Sequence, residues 1–206
     1  MLCVEREVQR WRRRLCLPPI KVRLGRWWNL CSWSRQTDAG YEILIAPGMA
    51  DRATILHKLG HVVLDEHLGG VISRREFRKL FGDVRDRYSG LWYFLPWSLA
   101  GRLYEERPDL PSAYAGVHPE ECWAETFSLA LRSRRRSFGN RRMNQRAAFA
   151  RRVVKALSKR ARLFLGIGEV LARVVSGRAM QLLQGALGQE MPEPCPRRSL
   201  TARGPG

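Results

Sequence analysis

Histidine is scarce in this chain, with four in 206 residues. Cysteine occurs five times, as Cys3, Cys16, Cys31, Cys122 and Cys195, an odd number at wide spacing with no Cys-x-x-Cys pair. That pattern excludes a disulfide framework and a zinc ribbon. No stretch reaches the ~18 uncharged apolar residues of a membrane span. The first residues, "MLCVEREVQRWRRRLCLPP", alternate apolar and charged side chains and lack the apolar core of a signal peptide. A cytoplasmic protein is expected. Acidic residues are missing altogether between Glu125 and Glu169, while thirteen Arg or Lys fall between Arg132 and Arg162. There is no internal repeat.

What is present is a large basic excess, 37 Lys and Arg against 19 Asp and Glu, for a net charge of +18. Such an excess favours nucleic acid, an anionic surface or acidic proteins as partners. Val4, Val8, Trp11 and Leu15 recur at helical spacing up to Pro18-Pro19. "IKVRL" (20–24) and "YEILIA" (41–46) read as strands, and the "TDAG" turn between them suggests an antiparallel hairpin. Asp51 can cap a helix over about 52–66, closed by Gly69-Gly70. Ser73 and Glu76 form a capping-box pattern for a helix to about Phe81. Residues 82–117 are irregular and include the aromatic run "LWYFLPWSLAGRLYEE", read as core. Pro119 opens a helix that runs to about Arg132.

Beyond it, Phe149, Val153, Val154 and Leu157 interleave with charge as in a basic amphipathic helix. They leave Arg151, Arg152, Lys155 and Lys159 as an exposed stripe and a candidate nucleic-acid-binding surface. A second apolar helix pattern, interrupted by glycines, spans about 163–187. The domain reading is a compact unit over 1–132, a basic helical extension over 133–190 and a disordered, Pro- and Gly-rich tail over 191–206.

The chemistry concentrates in "TILHKLGHVVLDEH". His57 and His61 lie four apart, one turn along one helix face, where two imidazoles can share a Zn²⁺. Chance predicts roughly 0.08 such pairs in a chain with this little histidine. A third ligand has two candidate sources. Glu121 and Glu125 are also four apart, on the helix that carries Trp123, Phe127 and Leu131. One carboxylate could bind the metal while the other fixes a histidine tautomer. Alternatively, His57, His61 and His67 have the spacing of the metzincin histidines, but Leu64 stands where that class places glycine.

"ATILHKLGHVVL" followed by "PEECWAETFSLAL" resembles the gluzincin zinc peptidases, in particular the small bacterial minigluzincin type. Those carry His-Glu-x-x-His on one helix and Glu-x-x-Ala-Glu or Glu-x-x-x-Asp on a later one. The resemblance covers residues 20–132. It implies an α+β, mostly helical zincin-like domain with a small N-terminal sheet and a helical C-terminal extension. It implies His57, His61 and Glu121 as zinc ligands and Glu125 as the carboxylate behind them. An extended peptide or protein substrate would add to a sheet edge, with "YEILIA" as the edge strand. One position departs from the pattern. Lys58 stands where the family has its general-base Glu, and an ammonium with a pKa of ~10.4 has no lone pair to offer. Peptide hydrolysis is therefore expected to be impaired or absent, either in a natural pseudoenzyme or in a variant of an active enzyme. Two rival readings are a nucleic-acid or anionic-surface binding protein acting through 132–162, and a helical interaction protein without metal.

Overall fold

The computed structural model describes residues 2–26, 32–84, 107–134 and 137–187. The aromatic run at 91–106 and the tail at 191–206 lie outside the described residues. Contacts divide the chain into two compact units, Met1–Leu163 and Phe164–Gly206. The architecture is α+β and mostly helical, with a small sheet near the N-terminus.

Helix α1 (Leu2–Arg14) buries Val4, Val8 and Trp11, with Leu15 just beyond its end. Strands β1 (Ile20–Leu24), β2 (Trp33–Thr37) and β3 (Gly40–Ile45) form one sheet in the order β1-β3-β2. β1 runs parallel to β3, from Ile20↔Tyr41 to Leu24↔Ile45. The antiparallel partner of β3 is β2, from Trp33↔Leu44 to Thr37↔Gly40. The expected hairpin between 20–24 and 41–46 is thus replaced by a hairpin between β2 and β3. "YEILIA" is the central strand and not an edge. The cause lies in "WSRQT", whose mostly polar, exposed residues give no apolar alternation. Gly40 closes the β2–β3 turn at φ 127°, and a Cβ there would stand 2.2 Å from the Pro19 carbonyl oxygen. Only glycine fits such a position.

Tyr41, Ile43 and Ile45 point into the core. Glu42 points the other way, across the strands. It accepts from Arg35 Nε at 2.9 Å and Arg23 Nη1 at 3.1 Å, and Arg35 and Arg23 hold its carboxyl below the usual carboxylate range despite burial.

Helix α2 (Arg52–His67) is capped by Asp51, whose Oδ1 accepts from Thr54 N at 2.7 Å. Helix α3 (Arg74–Phe81) is capped by Ser73 and followed by Gly82. After a 3₁₀ turn at Tyr114–Gly116 comes α4 (Pro119–Arg132), whose N-cap His118 accepts from Glu120 N through Nδ1 at 3.3 Å. Helix α5 (Arg141–Leu187) is one continuous helix of 47 residues. Its glycines do not interrupt it, because a glycine inside a helix costs only ~1 kcal/mol.

Trp123 of α4 is fully buried, ringed by Phe77, Phe81, Phe127 and Phe149. Phe149, Val153, Val154 and Leu157 of α5 join the same core, so this part of the basic helix belongs to the first compact unit. The fully buried Arg146 is its polar anchor. It donates from Nε to the Leu80 carbonyl at 2.8 Å, from Nη1 to the Asp109 carbonyl at 2.6 Å and from Nη2 to Asp83 at 2.7 Å.

Candidate metal centre

Three contacts along α2 and α4 bring the site together. Ser128 Oγ donates to the Ala53 carbonyl at 2.9 Å, and Trp123 Nε1 donates to the Gly60 carbonyl at 2.8 Å. Between them Gly60 meets Ala124 so closely that a Cβ on Gly60 would stand 3.0 Å from the Ala124 Cα. Gly60 lies next to His61, and Ala124 lies next to Glu125. The absence of a side chain at Gly60 therefore lets the carboxylates of one helix reach the imidazoles of the other.

Three donor atoms converge. His57 Nε2 is 3.1 Å from His61 Nε2 and 3.0 Å from Glu121 Oε2, and His61 Nε2 is 3.3 Å from Glu121 Oε2. A tetrahedral ion with bonds of ~2.0–2.1 Å holds neighbouring donors about 3.3 Å apart, so the triangle has the right size. On its far side, His57 Nδ1 lies 2.8 Å from Glu125 Oε1. A neutral ring with its proton on Nδ1, towards Glu125, would leave the Nε2 lone pair facing the other two donors. Glu125 is held in turn by Ser112, whose Oγ donates to Oε2 at 3.4 Å, and the Tyr114 ring lies 6.1 Å from that of His57.

Lone pairs meeting at this range repel unless a cation lies among them. A proton shared among them serves the same end. Burial lowers the His57 pKa, but Glu121 and Glu125 outweigh it and raise it above the ordinary value. Glu121 is held well below the usual carboxylate range by His57 and His61, against its burial. His57, His61 and Glu121 form a group that could hold a metal ion. His57 is buried, while His61 and Glu121 are partly exposed as residues, with the donor oxygen Oε2 of Glu121 itself buried.

His67 does not join this group among the described residues. It ends α2, six residues past His61, and packs towards Leu15, where burial lowers its pKa. Lys58 is half-buried, and its charge opposes protonation of His57. The four basic residues of α5 do not make a uniform stripe. Arg152, Lys155 and Lys159 are exposed, but Arg152 pairs with Glu76. Arg151 is half-buried, donating to the Ala130 carbonyl at 3.4 Å with its guanidinium over the Phe138 ring.

Sequence reasoning missed Gly60, Ala124, Ser112 and Tyr114. Only Gly60 carries a readable signal, a glycine inside an apolar helix pattern, which marks close approach of another backbone.

No family model, no curated protein and no solved structure matches the chain. No described helix is long and apolar enough to cross a membrane.

Proposed function

We propose that the chain is a zinc metallopeptidase-like protein of gluzincin type, with hydrolysis impaired or absent because Lys58 occupies the general-base position. The observation that carries this reading is the donor triangle of His57, His61 and Glu121, backed by Glu125 on His57 Nδ1. Two imidazoles and one carboxylate suit zinc, which takes nitrogen and oxygen ligands with three protein donors at hydrolytic sites. When bound, zinc would polarise a peptide carbonyl.

The chain's own residues divide the remaining work. Glu125 orients His57 and keeps Nε2 aprotic. Lys58 brings positive charge to the position where a base is needed, since it follows the first ligand by one residue, about 100° round the helix. An extended peptide cannot add to β3, whose two sides are taken by β1 and β2. β2, the edge strand that also packs on α2, is the natural acceptor.

The test is Lys58→Glu beside the unaltered protein, both zinc-loaded and assayed on a broad peptide library. Hydrolysis should rise by at least ~10²-fold, the low end for a positioned base. A Lys58→Glu protein that folds, binds one zinc and cleaves nothing contradicts the peptidase reading. Ordinary hydrolysis by the unaltered protein contradicts the role given to Lys58.

A further inference from the structure

Helix α3 has four basic residues among its eight: Arg74, Arg75, Arg78 and Lys79. At 100° per residue they fill one continuous sector of about 140°, while Leu80 and Phe81 turn to the core. All four side chains are exposed, and together they line an open groove of about 480 Å³. The one carboxylate of the helix, Glu76, is engaged by Arg152 of α5. Among the described residues, no carboxylate pairs with any of the four.

Local rules run against this arrangement. Arg74–Arg78 and Arg75–Lys79 are like-charge pairs one turn apart, which weaken a helix. Arg74 and Arg75 also stand in the first turn, where the helix dipole disfavours cations. Among the described residues no ion pair offsets these costs, and departures from local rules are expected at functional sites.

We propose that the α3 groove binds the phosphodiester backbone of a single nucleic-acid strand, independently of the metal centre. Three of the four residues are arginine, whose planar fork matches phosphate oxygens in pairs. The four charges lie within one helix of eight residues, about 12 Å long, so they meet a short run of phosphates along one strand. No large apolar side chain is exposed on α3, so the helix lacks what an interfacial helix inserts into a membrane. No aromatic side chain lines the groove, so bases are not stacked there and binding is independent of sequence.

The experiment measures fluorescence anisotropy of a labelled oligodeoxythymidine of about 20 nucleotides, titrated with the full chain across a salt series. The test variant combines Arg74→Gln, Arg75→Gln, Arg78→Gln and Lys79→Gln. A control variant removes the same charge from exposed sites elsewhere, with Arg6→Gln, Arg10→Gln, Arg13→Gln and Lys21→Gln. The test variant should bind at least ~10-fold more weakly, and the control less than ~2-fold. The slope of log affinity against log salt should shrink by about 3 in the test variant, at ~0.7 per phosphate released from a single strand. Equal losses in the two variants, no oligonucleotide binding at low salt, or tighter binding to vesicles of anionic lipid than to the oligonucleotide would overturn the proposal. Should circular dichroism show the fourfold variant misfolded, Arg75→Gln with Lys79→Gln takes its place. Half the change in slope is then expected, and an unchanged slope counts against the groove.

Discussion

Two ionic clusters, each built on a buried side chain, lie within the first compact unit, and they follow opposite plans. Around Arg146, one cation meets the carboxylates of Asp83 and Asp109 and the carbonyls of Leu80 and Asp109. Every guanidinium nitrogen has an acceptor, so the charge is answered from within the fold. Around His57, two imidazole nitrogens and a carboxylate oxygen face one another at hydrogen-bond range. That set is complete only with a cation or a proton in its midst. Burial of charge therefore means different things in the two places. In the first it is a clamp that ties α5 to the end of α3 and to the segment before the 3₁₀ turn. In the second it gathers three donor atoms that could hold a metal ion.

The comparison can be broken most severely at Arg146. Arg146→Met should destabilise the protein by about 2–3 kcal/mol, chiefly by leaving the Leu80 and Asp109 carbonyls without a donor, since Asp83 is exposed and keeps Arg142 and Asp109 keeps Arg107. Urea unfolding with and without zinc measures it, and the loss should be the same in both conditions. The metal centre should behave the other way. Zinc at a hundredfold excess over Kd should add ~2.7 kcal/mol to the unaltered protein and nothing to His57→Ala. Glu125→Ala sharpens the contrast further. It should weaken zinc binding by ~10–100-fold, as loss of a histidine's orienting partner does, while leaving the urea midpoint of the metal-free protein little changed.

The smallest effect is in the pH dependence, where the two clusters have opposite signs. Burial alone would raise the pKa of Asp83 and Asp109. Arg146 and Arg142 beside the first, and Arg107 beside the second, outweigh it and lower both. Their contribution is present above the ordinary aspartate pKa of ~3.9 and is lost as pH falls below it. The His57 pKa is raised, so in metal-free protein its contribution is present below ~6.5 and is lost as pH rises through the folded value. Zinc must reverse that second sign, because it binds deprotonated ligands. Thermal melts from pH 3 to 8, with and without zinc, separate the two. A zinc-loaded protein that loses stability between pH 6 and 8 would break the account.

Much of this was legible in the sequence, and the legible parts share a cause. The His57–His61 spacing, the Glu121–Glu125 spacing, the Asp51 and Ser73 caps and the Pro119 helix start are all local, within one or two turns. The α+β, mostly helical class implied by the gluzincin resemblance is the one the structure has. What was not legible depends on partners far along the chain. Arg146 looks like one more residue of a basic helix, and only Asp83 and Asp109, many residues upstream, reveal that it is buried. β2 has no apolar alternation, so the parallel pairing of β1 with β3 was hidden and "YEILIA" was misplaced as an edge. Gly60 is meaningful only once Ala124 lies against it. The glycines within 163–187 read as interruptions, yet each costs only ~1 kcal/mol and α5 runs on through them.

The account turns on whether the His57 cluster is completed by a metal. The direct measurement is elemental analysis of the full chain, purified without chelator and dialysed against metal-free buffer, beside Glu121→Ala treated identically. The account predicts close to one zinc per chain in the unaltered protein and less than about a tenth as much in Glu121→Ala, given three required protein donors. Equal zinc in both, or none in the unaltered protein even after incubation with excess zinc, would contradict it.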